Sequence, residues 1–142
     1  MNTAPRDDLD MEDWRQTPER FREWEARRIA MGFGRWTVVA EHESGEFAGY
    51  TDITFPAHAP EAGWQGGTAV DPKHRNKGLG RWIKAVNCLR LLDERPDITC
   101  VDTGNAFSND AMLGINIAMG FQLVRGYAEF QIPTSTLAAA VR

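Results

Sequence analysis

The sequence predicts a single α/β (α+β) domain, and three observations carry that prediction. Two β-like runs, Trp36 to Glu43 and Phe47 to Phe55, flank Ser44-Gly45-Glu46 and read as an antiparallel hairpin. A third β-like run ends at Val70-Asp71 and passes through a basic, glycine-containing loop into apolar positions spaced three and four apart. Beyond it, a short apolar run from Ile98 to Thr103 precedes a second helical pattern that stops at Gly120.

Residues 1–16 form an acidic leader, with Asp7, Asp8, Asp10, Glu12 and Asp13, that is expected to be mobile. Thr17-Pro18 starts a helix reaching about Met31, with Thr17 as N-cap and Phe21, Trp24 and Ile29 as an apolar stripe. In the second β run Phe47, Gly49, Thr51, Ile53 and Phe55 share one face, which places Tyr50 and Asp52 on the other. Trp64 to Asp71 is the third strand, interrupted by Gly66-Gly67. Leu79 to about Glu94 is a helix whose expected buried stripe is Leu79, Ile83, Val86, Leu89 and Leu92, and Pro96 stops it. After the strand ending at Thr103 comes a helix from about Asn109 to Met119. Phe121 to Val124 and Tyr127 to Ile132 are expected as a closing pair of strands, followed by a small-residue tail. The domain proper is therefore 17–133, with 134–142 as the tail.

The 142-residue chain is 42% hydrophobic and 25% charged, the balance of a soluble globular domain. No apolar run approaches the roughly 18 residues of a membrane span. The start lacks a basic stretch followed by an apolar one, so a cytoplasmic location is the default expectation and no membrane partner is expected. A net charge of -4 argues against nucleic acid as a partner, because phosphate neutralisation needs a clustered basic face. Cys88 and Cys100 lack metal-type spacing and sit in apolar patterns, so both are expected as reduced core residues and no metal site is expected. Against this acidic background His74, Arg75, Lys77, Arg81 and Lys84 gather in one short stretch, which suits a compact polyanion.

The order of strand, basic glycine loop and helix has a physical meaning. A helix N-terminus leaves backbone N–H groups unsatisfied and carries partial positive charge, so it receives phosphate oxygens. Gly78 and Gly80 let the backbone approach a ligand closely, while Arg75 and Lys77 add charge-assisted contacts. The loop is not a P-loop, since Lys77 precedes its glycine. Nor is it a dinucleotide fingerprint, since Ile83 stands where the third glycine belongs.

The segment resembles the coenzyme A loop of the GNAT superfamily of N-acetyltransferases, Gln/Arg-x-x-Gly-x-Gly/Ala after a strand, with Arg75, Gly78 and Gly80 at the three signature positions. A second block, Asn105 to Phe121, resembles that family's later helix with its closing Gly-Phe, and the likeness runs from about Trp36 to Ile132. The match extends to a bacterial subgroup pattern carried here by Thr68, Val70, His74, Arg75, Leu79, Gly80, Lys84, Asn87, Asn105, Asn109, Met112 and Asn116. Members of that subgroup often hold two such halves in one chain, and this sequence resembles the second.

The resemblance implies a mixed, mostly antiparallel central sheet with helices on both faces and two splayed parallel strands, ending near Val70 and Thr103, between which coenzyme A lies. Ala69 and Val70 would hold the pantetheine arm through their backbone. His74, Arg75, Asn76, Lys77, Gly78, Leu79, Gly80 and Arg81 would hold the phosphates, with Asn105, Asn109 and Met112 on the opposite side. The implied reaction is direct transfer of an acetyl group from acetyl-CoA to a primary amine of a small molecule or peptide. An alkylamine must lose a proton to attack at neutral pH, and Asp52 and Glu41 are the leading candidate bases, with Asp102 and Glu129 behind them. The family's tyrosine acid falls on Asn116 here. Either Asn116 contacts the sulfur or the coenzyme, or Tyr127 or water supplies the proton, or the domain is a non-catalytic scaffolding half. The family's opening strand is not visible in residues 1–16, which leaves Trp36 to Glu43 as an uncovered edge, so a homodimer or pairing with a separate N-terminal half is expected.

Overall fold

The computed structural model describes residues 10, 12, 15 and 17–140, with backbone alone for 138–140. Most of the expected leader, and the last two residues of the expected tail, lie outside these. The elements are α1 (Pro18–Ala30), β1 (Gly34–Glu41), β2 (Phe47–Phe55), β3 (Ala62–Val70), α2 (Leu79–Glu94), β4 (Cys100–Thr103), α3 (Asp110–Ala118) and α4 (Thr134–Ala140). One sheet runs β1-β2-β3-β4, antiparallel except for the parallel pair β3 and β4. This is the mixed, mostly antiparallel α/β sheet that the sequence resemblance implies.

Local chemistry accounts for the helix boundaries. The Thr17 side chain accepts a hydrogen bond from the Arg20 amide and Pro18 opens α1. The Asn109 side chain does the same for Met112 at the start of α3.

α2 covers one face of the sheet. Ile53 and Phe55 pack with Leu91 and Ile98, joined by Trp36, Cys88 and Val101, while Ala40, Ala48 and Ile83 form a second apolar cluster with Val38 and Leu79. On the opposite face Arg35 of β1 stacks over Phe21 and Trp24 of α1, at 5.4 Å and 5.3 Å from their ring centroids.

Two bulges set which side chains reach each face. Ala40 pairs with Gly49 and Glu41 with Phe47, so Ala48 is the extra residue. Ala48 therefore turns into the core and Phe47 is 74% exposed, correcting the expectation that Phe47 shares the buried face. Between β2 and β3, Thr51 pairs with Thr68 but Ile53 with Gln65, which inserts one residue at Gly66-Gly67 opposite Asp52.

Other expectations are also corrected. The buried side of α2 is Gly80, Ile83, Lys84, Asn87 and Leu91, whereas Val86, Leu89 and Leu92 are exposed. The three-and-four spacing was right, but the face is rotated to include the polar Asn87 and Lys84, whose Nζ finds Asn116 in the interior. Residues 121–133 contain no strand, and Leu123, Val124, Tyr127 and Phe130 are exposed. Apolar alternation gives a strand only where a partner edge accepts its hydrogen bonds. Asp10 meets this segment instead, its amide donating to Gln131 and its carbonyl accepting from it. The small-residue tail contains α4, consistent with the helix preference of its alanines. Cys88 packs against the core, but Cys100 is exposed on β4. Among the described residues, β1 has no strand partner on its outer edge.

Candidate active site

β3 and β4 diverge. Their pairing runs only from Ala62 opposite Cys100 to Gln65 opposite Thr103, and Thr103 Oγ1 donates to the Gln65 carbonyl at 3.2 Å where it closes. From Gly66 to Val70 the β4-facing edge of β3 has no strand partner among the described residues, so a fork opens toward the start of α2. Gly66 sits where a Cβ would stand 2.7 Å from Asp52 Oδ2, which explains a glycine in this strand.

The loop from β3 to α2 is held from within. Asp71 Oδ1 accepts from the Lys73 amide at 2.9 Å and starts a short 3-10 turn, Pro72–His74. Arg75 Nε donates to the Val70 carbonyl at 3.0 Å. Asn76 and Gly78 then adopt left-handed conformations, φ 60° and 78°, and α2 begins at Leu79 with no side chain capping it. The start of α2 borders a cleft of about 250 Å³ lined by His74, Lys77, Gly78, Leu79 and Trp82. Arg81 is exposed on that turn. Gly80 also has a packing role: a Cβ there would stand 3.3 Å from Ile115 and 3.5 Å from Val70, so its absence lets α2 pack against α3 and the end of β3. On the other side of that strand end lies a groove of about 440 Å³ that includes Val39, Tyr50, Ala69, Val70 and Arg75. Burial, aided by the Asp52 charge, pushes the Tyr50 hydroxyl up from its usual value.

The candidate catalytic residues are not brought to one point. Asp52 is 6% exposed and its Oδ2 accepts from Arg35 Nε at 3.0 Å. Glu41 is exposed and stands four positions along β1 from Thr37, the partner of Asp52, which is about 13 Å of strand. Tyr127 is 76% exposed, its hydroxyl near Gly104. Asp102 and Glu129 are exposed. Asn116 is buried, its Oδ1 accepting from Lys84 Nζ at 2.5 Å and its Nδ2 donating to Asn105 Oδ1 at 2.9 Å. Asn109 is the cap of α3, and Met112 is half-buried in the turn that it caps.

Sequence reasoning missed two residues. Arg35 carried no signal, because its partner Asp52 is met only across the β1–β2 pair. Lys84 is grouped in the sequence with the basic residues suited to a polyanion, yet it is 1% exposed and faces the interior. Its steps of four residues from Gly80 and three from Asn87 were the available signal.

A model of the acetyltransferase (GNAT) family matches residues 4–86, more than half of the chain. The chain belongs to the acetyltransferase (GNAT) family. The match includes β1 to β3 and the loop into α2, while α3 lies beyond it. Among solved structures, a tandem GNAT protein from the clavulanic acid biosynthesis pathway is 32% identical with a TM-score of 0.70, over 73% of this chain and 32% of that one. The chain thus spans about a third of the length of that relative. An aminoglycoside 6'-N-acetyltransferase from Acinetobacter haemolyticus (14% identity, TM-score 0.58, 84% of each chain) has the same fold. So has glucosamine-6-phosphate N-acetyltransferase from Arabidopsis thaliana (19% identity, TM-score 0.58, 81% of this chain and 80% of that one). Among curated proteins none matches the sequence. No helix among the described residues is long and apolar enough to cross a membrane.

Proposed function

We propose that this GNAT domain transfers an acetyl group from acetyl-CoA to a primary amine of a small molecule or peptide, by direct attack in a ternary complex. The observation that supports it most is the unpaired edge of β3, Gly66 to Val70, running straight into the uncapped start of α2. In this reading the amides at Gly78, Leu79, Gly80 and Arg81 receive the diphosphate, with charge from Arg75, Lys77 and His74 and with Asn76 shaping the turn. Ala69 and Val70 hold the arm as an added strand, and a backbone N–H near Val70 polarises the thioester carbonyl. Asn105 and Met112 close the far side, with Asn109 holding the start of α3. Asp52 is engaged with Arg35, so Glu41 or water takes the proton of the attacking amine. Two relatives named for acetylating amines support the acceptor class.

The 32% coverage of the tandem relative supports a working unit of two such domains, formed by a second copy or by a separate half. A non-catalytic, scaffolding half is the second reading, favoured by the full engagement of Asn116 with Lys84 and Asn105. Release of free thiol from acetyl-CoA with a panel of amines tests the enzyme reading, and no release with any amine, despite coenzyme binding, selects the scaffold.

A further inference from the structure

Lys84 is the only lysine among the buried polar and charged side chains of the described residues. Its Nζ donates to Asn116, which donates to Asn105, whose Nδ2 donates to the Ala106 carbonyl. This chain joins α2, α3 and the turn that follows β4. One turn beyond Lys84, Asn87 is fully buried and neither its Oδ1 nor its Nδ2 has a partner. Gln65 Oε1, at the last paired position of β3, is also buried without a partner.

Protein atoms alone therefore leave under-satisfied the buried Lys84 ammonium, the Asn87 amide one helical turn beyond it, and Gln65 Oε1 at the closed end of the β3–β4 fork. Gly80 seats the first turn of α2 against Val70 at the open end, and Lys84 lies four residues further in, about 6 Å along the helix. The groups facing Lys84 are Cys88 on its own helix, Asn116 on α3 and the Phe121 ring, 5.1 Å away. No carboxylate is paired with it among the described residues. A buried cation without a counter-ion costs several kcal/mol, so a fold that keeps one gains from an anion arriving there.

We propose that Lys84 meets the sulfur of the thioester and donates a proton to the leaving thiolate. The inference rests on the coenzyme reading of the β3–α2 loop, which brings the sulfur, bonded to the thioester carbonyl, onto the free edge of β3 just inside Val70. As the amine nitrogen bonds to the carbonyl carbon, the C–S bond breaks and its electron pair goes to sulfur. Lys84 gives sulfur a proton and becomes a neutral amine. The proton lost by the attacking nitrogen passes to water, and water reprotonates Lys84 after the thiol departs. Burial lowers the Lys84 pKa to about 8, which suits a group that gives up its proton near neutral pH.

Calorimetric titration with coenzyme A and with desulfo-coenzyme A, in which hydrogen replaces the thiol, tests the contact without turnover. The unaltered chain should bind coenzyme A at least tenfold more tightly than the desulfo compound, and Lys84→Met should bind the two equally while keeping its affinity for the desulfo compound. Equal affinities in the unaltered chain, or a preference that survives in Lys84→Met, overturn the proposal. Failure of either compound to bind the unaltered chain would overturn the coenzyme reading itself, and this proposal with it.

Discussion

Arg35 Nε stands 3.0 Å from Asp52 Oδ2 across the β1–β2 pair, and this ion pair joins three parts of the domain. Arg35 also reaches Glu25 of α1 at 3.6 Å and lies over Phe21 and Trp24, while Asp52 lies against the Gly66 bulge of β3. Asp52→Asn should therefore lower stability by about 1.5–3 kcal/mol, since Arg35 keeps Glu25 and the two rings but loses a charge-assisted hydrogen bond on its more buried side. Urea denaturation measures this, and Arg35→Met in the same chain should restore part of the loss. Unchanged stability in Asp52→Asn would show that the pair is incidental.

The bulge makes a steric prediction. Gly66→Ala puts a methyl group 2.7 Å from a carboxylate that Arg35 holds in place, so it should cost about 1–3 kcal/mol. Gly114→Ala is the contrast: the site is exposed on α3 with open space around it, and helix propensity predicts a gain of about 0.5–1 kcal/mol. Thermal unfolding should move the two variants in opposite directions.

Arg75→Ala removes a charged hydrogen-bond donor from the loop, worth ~1.5–3 kcal/mol, or about 10- to 100-fold in coenzyme A affinity. Gly78→Val should lower affinity too, but its left-handed φ of 78° means that a β-branched residue also carries strain of roughly 1–2 kcal/mol. Calorimetry separates the two effects when stability is measured alongside, and unchanged affinity in both variants would move the coenzyme elsewhere.

Lys84 predicts a pH dependence of stability. Its folded pKa, about 8, lies below the ordinary 10.5, so between these values the unfolded chain binds more protons and stability rises with pH. Below pH 8 the whole cost of burial is present, roughly 3 kcal/mol, and Lys84→Met should be more stable there. The advantage should shrink as pH approaches 10.5. Burial pushes the Cys88 thiol up, which acts in the opposite sense at high pH, so the informative quantity is the difference between the two proteins. Parallel pH curves would mean that Lys84 is not held as a buried cation.

The outer edge of β1, which has no strand partner among the described residues, predicts association. Light scattering over a range of concentrations should give a mass above that of one chain, while a stable monomer that binds coenzyme A would show that the edge is covered from within.

Local chemistry was legible in the sequence because its causes are short-range. Thr17-Pro18 and Asn109 mark helix starts through their own side chains, α2 starts and ends where the loop glycines and Pro96 place it, and Arg75, Gly78 and Gly80 mark the family loop. What the tertiary structure decided depends on which residue stands opposite which. One extra residue at Ala48 turns Phe47 outward, and one at Gly66-Gly67 sets a glycine against Asp52. The interior side of α2 is chosen by what it meets, so Lys84 and Asn87 are buried where Leu89 and Leu92 were expected. Phe121 to Ile132 has the alternation of a strand and no strand pairing, because an alternating pattern states a preference for two faces but cannot supply the second backbone whose N–H and C=O groups make a strand.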